Sequence, residues 1–178
     1  MLCRILKHPE MSNTRLSDDI ALLYTDRDIN LDHAYVNTAC LPGCEEQFNH
    51  QFHNGTGARC WVAGWGKDEF EGSFQFIPRK VDLPLVAAAQ CEPALRAALD
   101  RREAGTGARF SLHHSELCAG GEPGKDACTG DGGSPLVCQA QSGRWTLVGL
   151  VAWGVGCASE TPGVYVNVAH FRDWINAN

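Results

Sequence analysis

Short apolar runs, four to nine residues long and bounded by turn-forming residues, follow one another down this chain: Ile20–Tyr24, Cys60–Trp65, Arg79–Leu83, Pro135–Cys138, Trp145–Trp153 and Gly163–Asn167. Runs of that length between turn signals predict an all-β fold, an antiparallel barrel or sandwich. Two segments break the pattern. Ala87–Arg102 carries alanine, leucine and arginine at helical spacing. Val168–Asn176 places Val168, Phe171, Trp174 and Ile175 at intervals that put them on one face, which predicts a terminal amphipathic helix. The glycine-bearing segments Gly55–Gly57, Glu71–Ser73, Gly105–Gly107 and Gly120–Gly124 read as surface turns.

At 178 residues the chain can bury the core of one domain. A net charge of −6 argues against nucleic acid or an anionic membrane as a general partner, and no apolar run approaches the ~20 residues of a membrane helix. Nine cysteines point to disulfides and an oxidising compartment. The sequon at Asn54 fits a glycosylated, secreted loop. Met1–Leu6 is too short and wrongly composed for a signal peptide, so export implies additional chain upstream.

Six segments share one resemblance: Asp18–Leu23, Ala39–Pro42, Cys60–Gly66, Leu117–Gly121, Gly124–Cys138, and Val151–Gly154 taken with Pro162–Val166. In order and spacing they resemble the trypsin-like serine proteases of the chymotrypsin fold over essentially the whole chain. Cys118–Asp126 followed by Gly130–Pro135 is similar to the clip-domain serine protease homologues of arthropods, some of which assist prophenoloxidase activation. The resemblance implies one partial trypsin-like domain over 1–178, the end of a first β-barrel followed by all of a second.

Active relatives read Gly-Asp-Ser-Gly-Gly-Pro where this chain reads Gly130-Asp-Gly-Gly-Ser-Pro135. By resemblance Gly132 replaces the nucleophile, Gly130 holds an oxyanion-hole position, and Asp19 is the orienting carboxylate. The catalytic base would fall outside the chain, since no histidine here stands in an Ala-Ala-His-Cys setting; His8-Pro9 resembles a loop dipeptide. Losing the nucleophile of such a triad costs roughly 10⁶ in rate, about 8 kcal/mol. Ser134 lies two residues on, ~6–7 Å along extended backbone, too far to substitute.

The same resemblance assigns Asp126 to the floor of a pocket for arginine or lysine and Gly154 and Gly163 to its walls. Ala152 stands where active relatives carry serine. Asp131, which pairs with a new N-terminal amine in active relatives, is expected to rest in a zymogen-like arrangement with neighbouring loops. Position matching implies the pairs Cys60–Cys138, Cys91–Cys118 and Cys128–Cys157, leaving Cys3, Cys40 and Cys44 with absent partners. A zinc site at Cys40 and Cys44 lacks a second ligand pair, and His113-His114 reads as a solvated loop, so neither a metal nor any other cofactor is expected. The five tryptophans are implied to be core or cleft-wall residues. The implied function is a secreted, non-catalytic homologue serving protein partners in a proteolytic cascade of innate immunity, with basic peptides as ligands and neither nucleic acid nor membrane. The competing readings are an active endopeptidase cleaving after Arg or Lys and a truncated fragment.

Overall fold

The structure, a computed structural model, describes residues 2–43, 59–140 and 142–178. Cys44, the Asn54 sequon and the Gly55–Gly57 turn lie outside the described residues. Among the described residues, eight strands form two sheets. Strands β1 (Leu2–Lys7) and β2 (Ala21–Thr25) make an antiparallel pair with Leu6 opposite Leu22 and Ile5 opposite Leu23. The other six close into a barrel in the order β3-β4-β5-β8-β7-β6. They are β3 (Arg59–Gly64), β4 (Arg79–Val86), β5 (Glu116–Gly120), β6 (Pro135–Gln139), β7 (Trp145–Trp153) and β8 (Pro162–Asn167).

Alternation along β3 turns Cys60, Val62 and Gly64 inward. The closing pair β3–β6 sets Cys60 opposite Cys138 and Val62 opposite Leu136, and the two cysteines are disulfide-bonded with Cα atoms 4.2 Å apart. Leu83, Leu85, Ala119, Leu136, Val148 and Tyr165 complete a core from all six strands. Outward alternation leaves Trp65 60% and Trp145 47% exposed, so these two tryptophans are not core.

Helix α1 (Ala88–Arg102) lays Cys91, Leu95 and Ala98 against the barrel and is bonded to β5 through Cys91–Cys118. The residues Cys91, Leu95, Cys118 and Val164 form a second buried cluster there. Beyond the helix, Asp100 Oδ1 accepts from the amides of Gly105 and Gly107 and shapes the return turn. Helix α2 spans only Arg172–Ala177. From Val168 to Arg172 the chain makes three-residue turn bonds, such as Phe171 N–H to Val168 O, because Val168 is buried and Phe171 is anchored in a third cluster with Ile20 and Val166.

Candidate functional site

The loop between Gly124 and β6 carries the densest set of candidate residues. Its turns are tight: the Asp131 amide donates to Cys128 O, the Ser134 amide to Asp131 O, and the Gly133 amide to Val151 O on β7. Cys128–Cys157 joins this loop to the segment after β7. Between the two segments lies a cavity of about 350 Å³, whose lining includes Asp126, Gly130, Gly132, Gly154 and Gly163. Five of the six catalytic and pocket residues anticipated from sequence therefore share one cavity. The sixth, Asp19, is exposed in the loop before β2 and does not line it.

Asp126 supplies a carboxylate to the cavity lining. Burial pushes its carboxyl up to about 7; the amides of Ala158 and Ala127 oppose the rise, and the like charge of Asp131 adds to it. The Ala158 bond is long, at 3.2 Å. A Cβ at Gly163 would stand 3.2 Å from Asp126 Oδ1 and 3.3 Å from the Tyr165 ring, so glycine there keeps the approach to the carboxylate clear. The Tyr165 hydroxyl is buried with no hydrogen-bond partner among the described residues, and desolvation raises its pKa. Two polar groups thus converge on one hollow with weak or absent protein partners. Arg102 and Phe70 line the same cavity, and no ion pair joins Arg102 to Asp126 among the described residues.

Gly132 has no heavy atom within 4 Å of where a Cβ would be. A serine side chain has room at this position. Ser134 is not among the residues lining the cavity; its hydroxyl lies beside Gly64, 3.0 Å from where a Cβ there would stand.

Asp131 is held by backbone. Its Oδ1 accepts from Gly66 N–H at 2.8 Å and its Oδ2 from Cys128 N–H at 2.9 Å. Carboxylates are well satisfied by amides, and no cationic side chain pairs with this one among the described residues. The fit depends on Gly64 and Gly66. A Cβ at Gly64 would lie within 2.0 Å of Asp131 Oδ1, and one at Gly66 2.5 Å from Asp131 Cγ.

These neighbours of Asp131, together with Tyr165 and Phe74, were not singled out by sequence reasoning. Phe74, in the exposed loop between β3 and β4, covers the Cα of Gly130, where a Cβ would meet its ring at 2.6 Å. The loop motif that signalled a surface turn gave no sign of which surface it covers.

Comparison with known proteins matches this arrangement to a family. The trypsin family model covers residues 2–175. The chain belongs to the trypsin family. Its relatives include phenoloxidase-activating factor 2 of Galleria mellonella, 44% identical over 95% of this chain and 53% of that protein. Inactive CLIP domain-containing serine protease A3 of Aedes aegypti is 45% identical over 96% of this chain and 34% of its own length. Inactive CLIP domain-containing serine protease A8 of Anopheles gambiae is 39% identical over 97% and 44%. The chain thus spans between a third and about half of the relatives it matches. Its closed barrel, second sheet and short terminal helix are the trypsin fold as these residues build it.

Proposed function

We propose that this trypsin-family chain is a non-catalytic serine protease homologue that acts as a cofactor or scaffold in an extracellular proteolytic cascade, of the kind that activates phenoloxidase. Gly132 carries the reading: it stands in the nucleophile loop beside an open pocket and offers no hydroxyl to attack a carbonyl. Relatives named inactive, and one named for phenoloxidase activation, support the same role. Three disulfides suit the oxidising, extracellular setting.

The pocket would act by capture. A guanidinium or ammonium entering it meets the Asp126 carboxylate, a charge-assisted pair in a partly desolvated site, with the Tyr165 hydroxyl nearby. Since Asp126 ionises near pH 7, affinity for a cation rises as pH climbs through 7 and falls as Asp126 is protonated below it.

The test combines turnover and binding. Purified protein should hydrolyse no peptide ester or amide after Arg or Lys, and should bind an arginine-bearing peptide in an Asp126-dependent way. Inhibitor-sensitive turnover would overturn the non-catalytic reading. Equal binding by wild type and Asp126→Ala would overturn the capture reading and leave only the scaffold role.

A further inference from the structure

A second cluster of polar side chains lies where the β1–β2 connection meets the C-terminal helix. At its centre is Asp18, whose side chain is 7% exposed. No hydrogen-bond donor among the described residues reaches its carboxylate. The Asp18 amide donates to Ser115 Oγ at 3.2 Å, and a carboxylate oxygen lies within 4.8 Å of a ligand atom of His8 and of Glu10. Burying a carboxylate costs several kcal/mol unless cations or hydrogen-bond donors offset it, and the one ion pair Asp18 makes among the described residues, to His113, is long at 3.9 Å.

Two further donors converge on it. One ligand atom each from His8, Glu10 and Asp18 lies within 4.8 Å of the other two. The His8 ring is fixed by edge contacts to Phe171 at 4.9 Å and Trp174 at 5.0 Å. The Glu10 amide reaches His8 Nδ1 only at 3.3 Å. His8 is half-buried and Glu10 exposed, which leaves a path from solvent to the buried Asp18. The obvious protein cation, a protonated His113, does not complete the set. Its Nδ1 stands 3.9 Å from Asp18 Oδ2 and is engaged by Ser115 Oγ at 2.7 Å.

We propose that His8, Glu10 and Asp18 form a binding site for a divalent transition-metal ion of the zinc type. Zinc takes imidazole nitrogen and carboxylate oxygen at about 2.0–2.2 Å, and three protein ligands leave a fourth position for water. An imidazole in the set favours zinc over calcium, which prefers an all-oxygen shell. Ligand atoms around such an ion stand no more than ~4.4 Å apart, twice the bond length. The spread of up to 4.8 Å between these atoms closes with small side-chain rotations. The ion would neutralise two facing carboxylates and tie the end of β1 and the loop before β2 into one unit against Phe171 and Trp174. Sequence reasoning passed over the site because its ligands are scattered and His8-Pro9 looked like a loop dipeptide.

Zinc chloride is titrated into metal-stripped protein by calorimetry, with calcium chloride as a parallel arm, and the same titration is run on Glu10→Gln and Asp18→Asn. Saturation at one zinc per chain is expected, with each variant weakening affinity at least ~10-fold and calcium failing to compete. Glu10 is exposed, so Glu10→Gln keeps the test valid even where Asp18→Asn unfolds. Hydrogen exchange should slow at His8–Ile20 on zinc addition. No saturable binding overturns the proposal. Zinc affinity unchanged in Glu10→Gln but lost on thiol blocking overturns it too, placing the metal on cysteines. Calcium binding more tightly than zinc at the same residues overturns the metal class.

Discussion

The two sheets of this chain are built from similar apolar residues and end in opposite states. In the barrel, Leu83 and Leu136 are fully buried, every strand has two neighbours, and a disulfide joins the closing pair. In the β1–β2 pair, Leu2, Ile5 and Leu23 are each about half exposed, and no third strand joins either edge among the described residues. A two-stranded ribbon is marginal in water, whereas closure removes edges altogether. What holds β1–β2 in place lies at its ends: His8 against Phe171 and Trp174, Ile20 in the third cluster, and Tyr24 Oη donating to Asn178 O. Hydrophobicity alone therefore does not give a strand its stability here. The number of partnered faces does.

That contrast can be broken by mutation. Removing the Cys60–Cys138 bridge as a double alanine variant should have the largest effect, about 4 kcal/mol for a crosslink spanning 78 residues, read by denaturant unfolding. Leu136→Ala should cost about 3 kcal/mol, since its side chain is fully enclosed. Asp126→Asn tests a position in the loop between β5 and β6 that sacrifices stability. Its pKa is raised from 3.8 to about 7, so the folded state favours the protonated form. That contribution is complete below pH 4, fades as pH rises from 4 to 7, and leaves a charged, desolvated group above 7. The asparagine variant should accordingly be more stable by about 2 kcal/mol above pH 7, allowing for partial solvent access, with the gap closing toward pH 4. Thermal unfolding across that range checks the sign. The smallest effect belongs to Ile5→Ala and Leu23→Ala, each within about 0.5 kcal/mol. A loss above about 1.5 kcal/mol at either position would mean that the ribbon is covered in solution and that the contrast is false.

The same contrast explains what could be read from sequence. Barrel strands rich in β-branched and aromatic residues, such as Trp145–Trp153, were legible because local pattern and tertiary pairing agree. Strand β5, Glu116–Gly120, has small residues and two β neighbours, so pairing rather than propensity makes it a strand. Strand β1 escaped notice because Arg4 and Lys7 interrupt its apolar character and only β2 gives it register. The terminal helix begins at Arg172 rather than Val168 because burying Val168 and Phe171 outweighs continuing the helical turn. At the pocket, the motif pointed to Asp126, Gly132 and Gly163, while Tyr165 and Phe70 reach it only through the closure of the barrel and the path of one loop.

The glycine pair around Asp131 has a consequence for how such a chain can change over generations. Any side chain at Gly64 or Gly66 collides with a carboxylate that anchors the loop, so substitutions there are removed whether or not the protein turns over a substrate. At Gly132 nothing beyond its chain neighbours lies close enough to object, so under the proposed non-catalytic role the residue is free to drift. Descendants of this chain should therefore diverge first at Gly132 and last at Gly64 and Gly66.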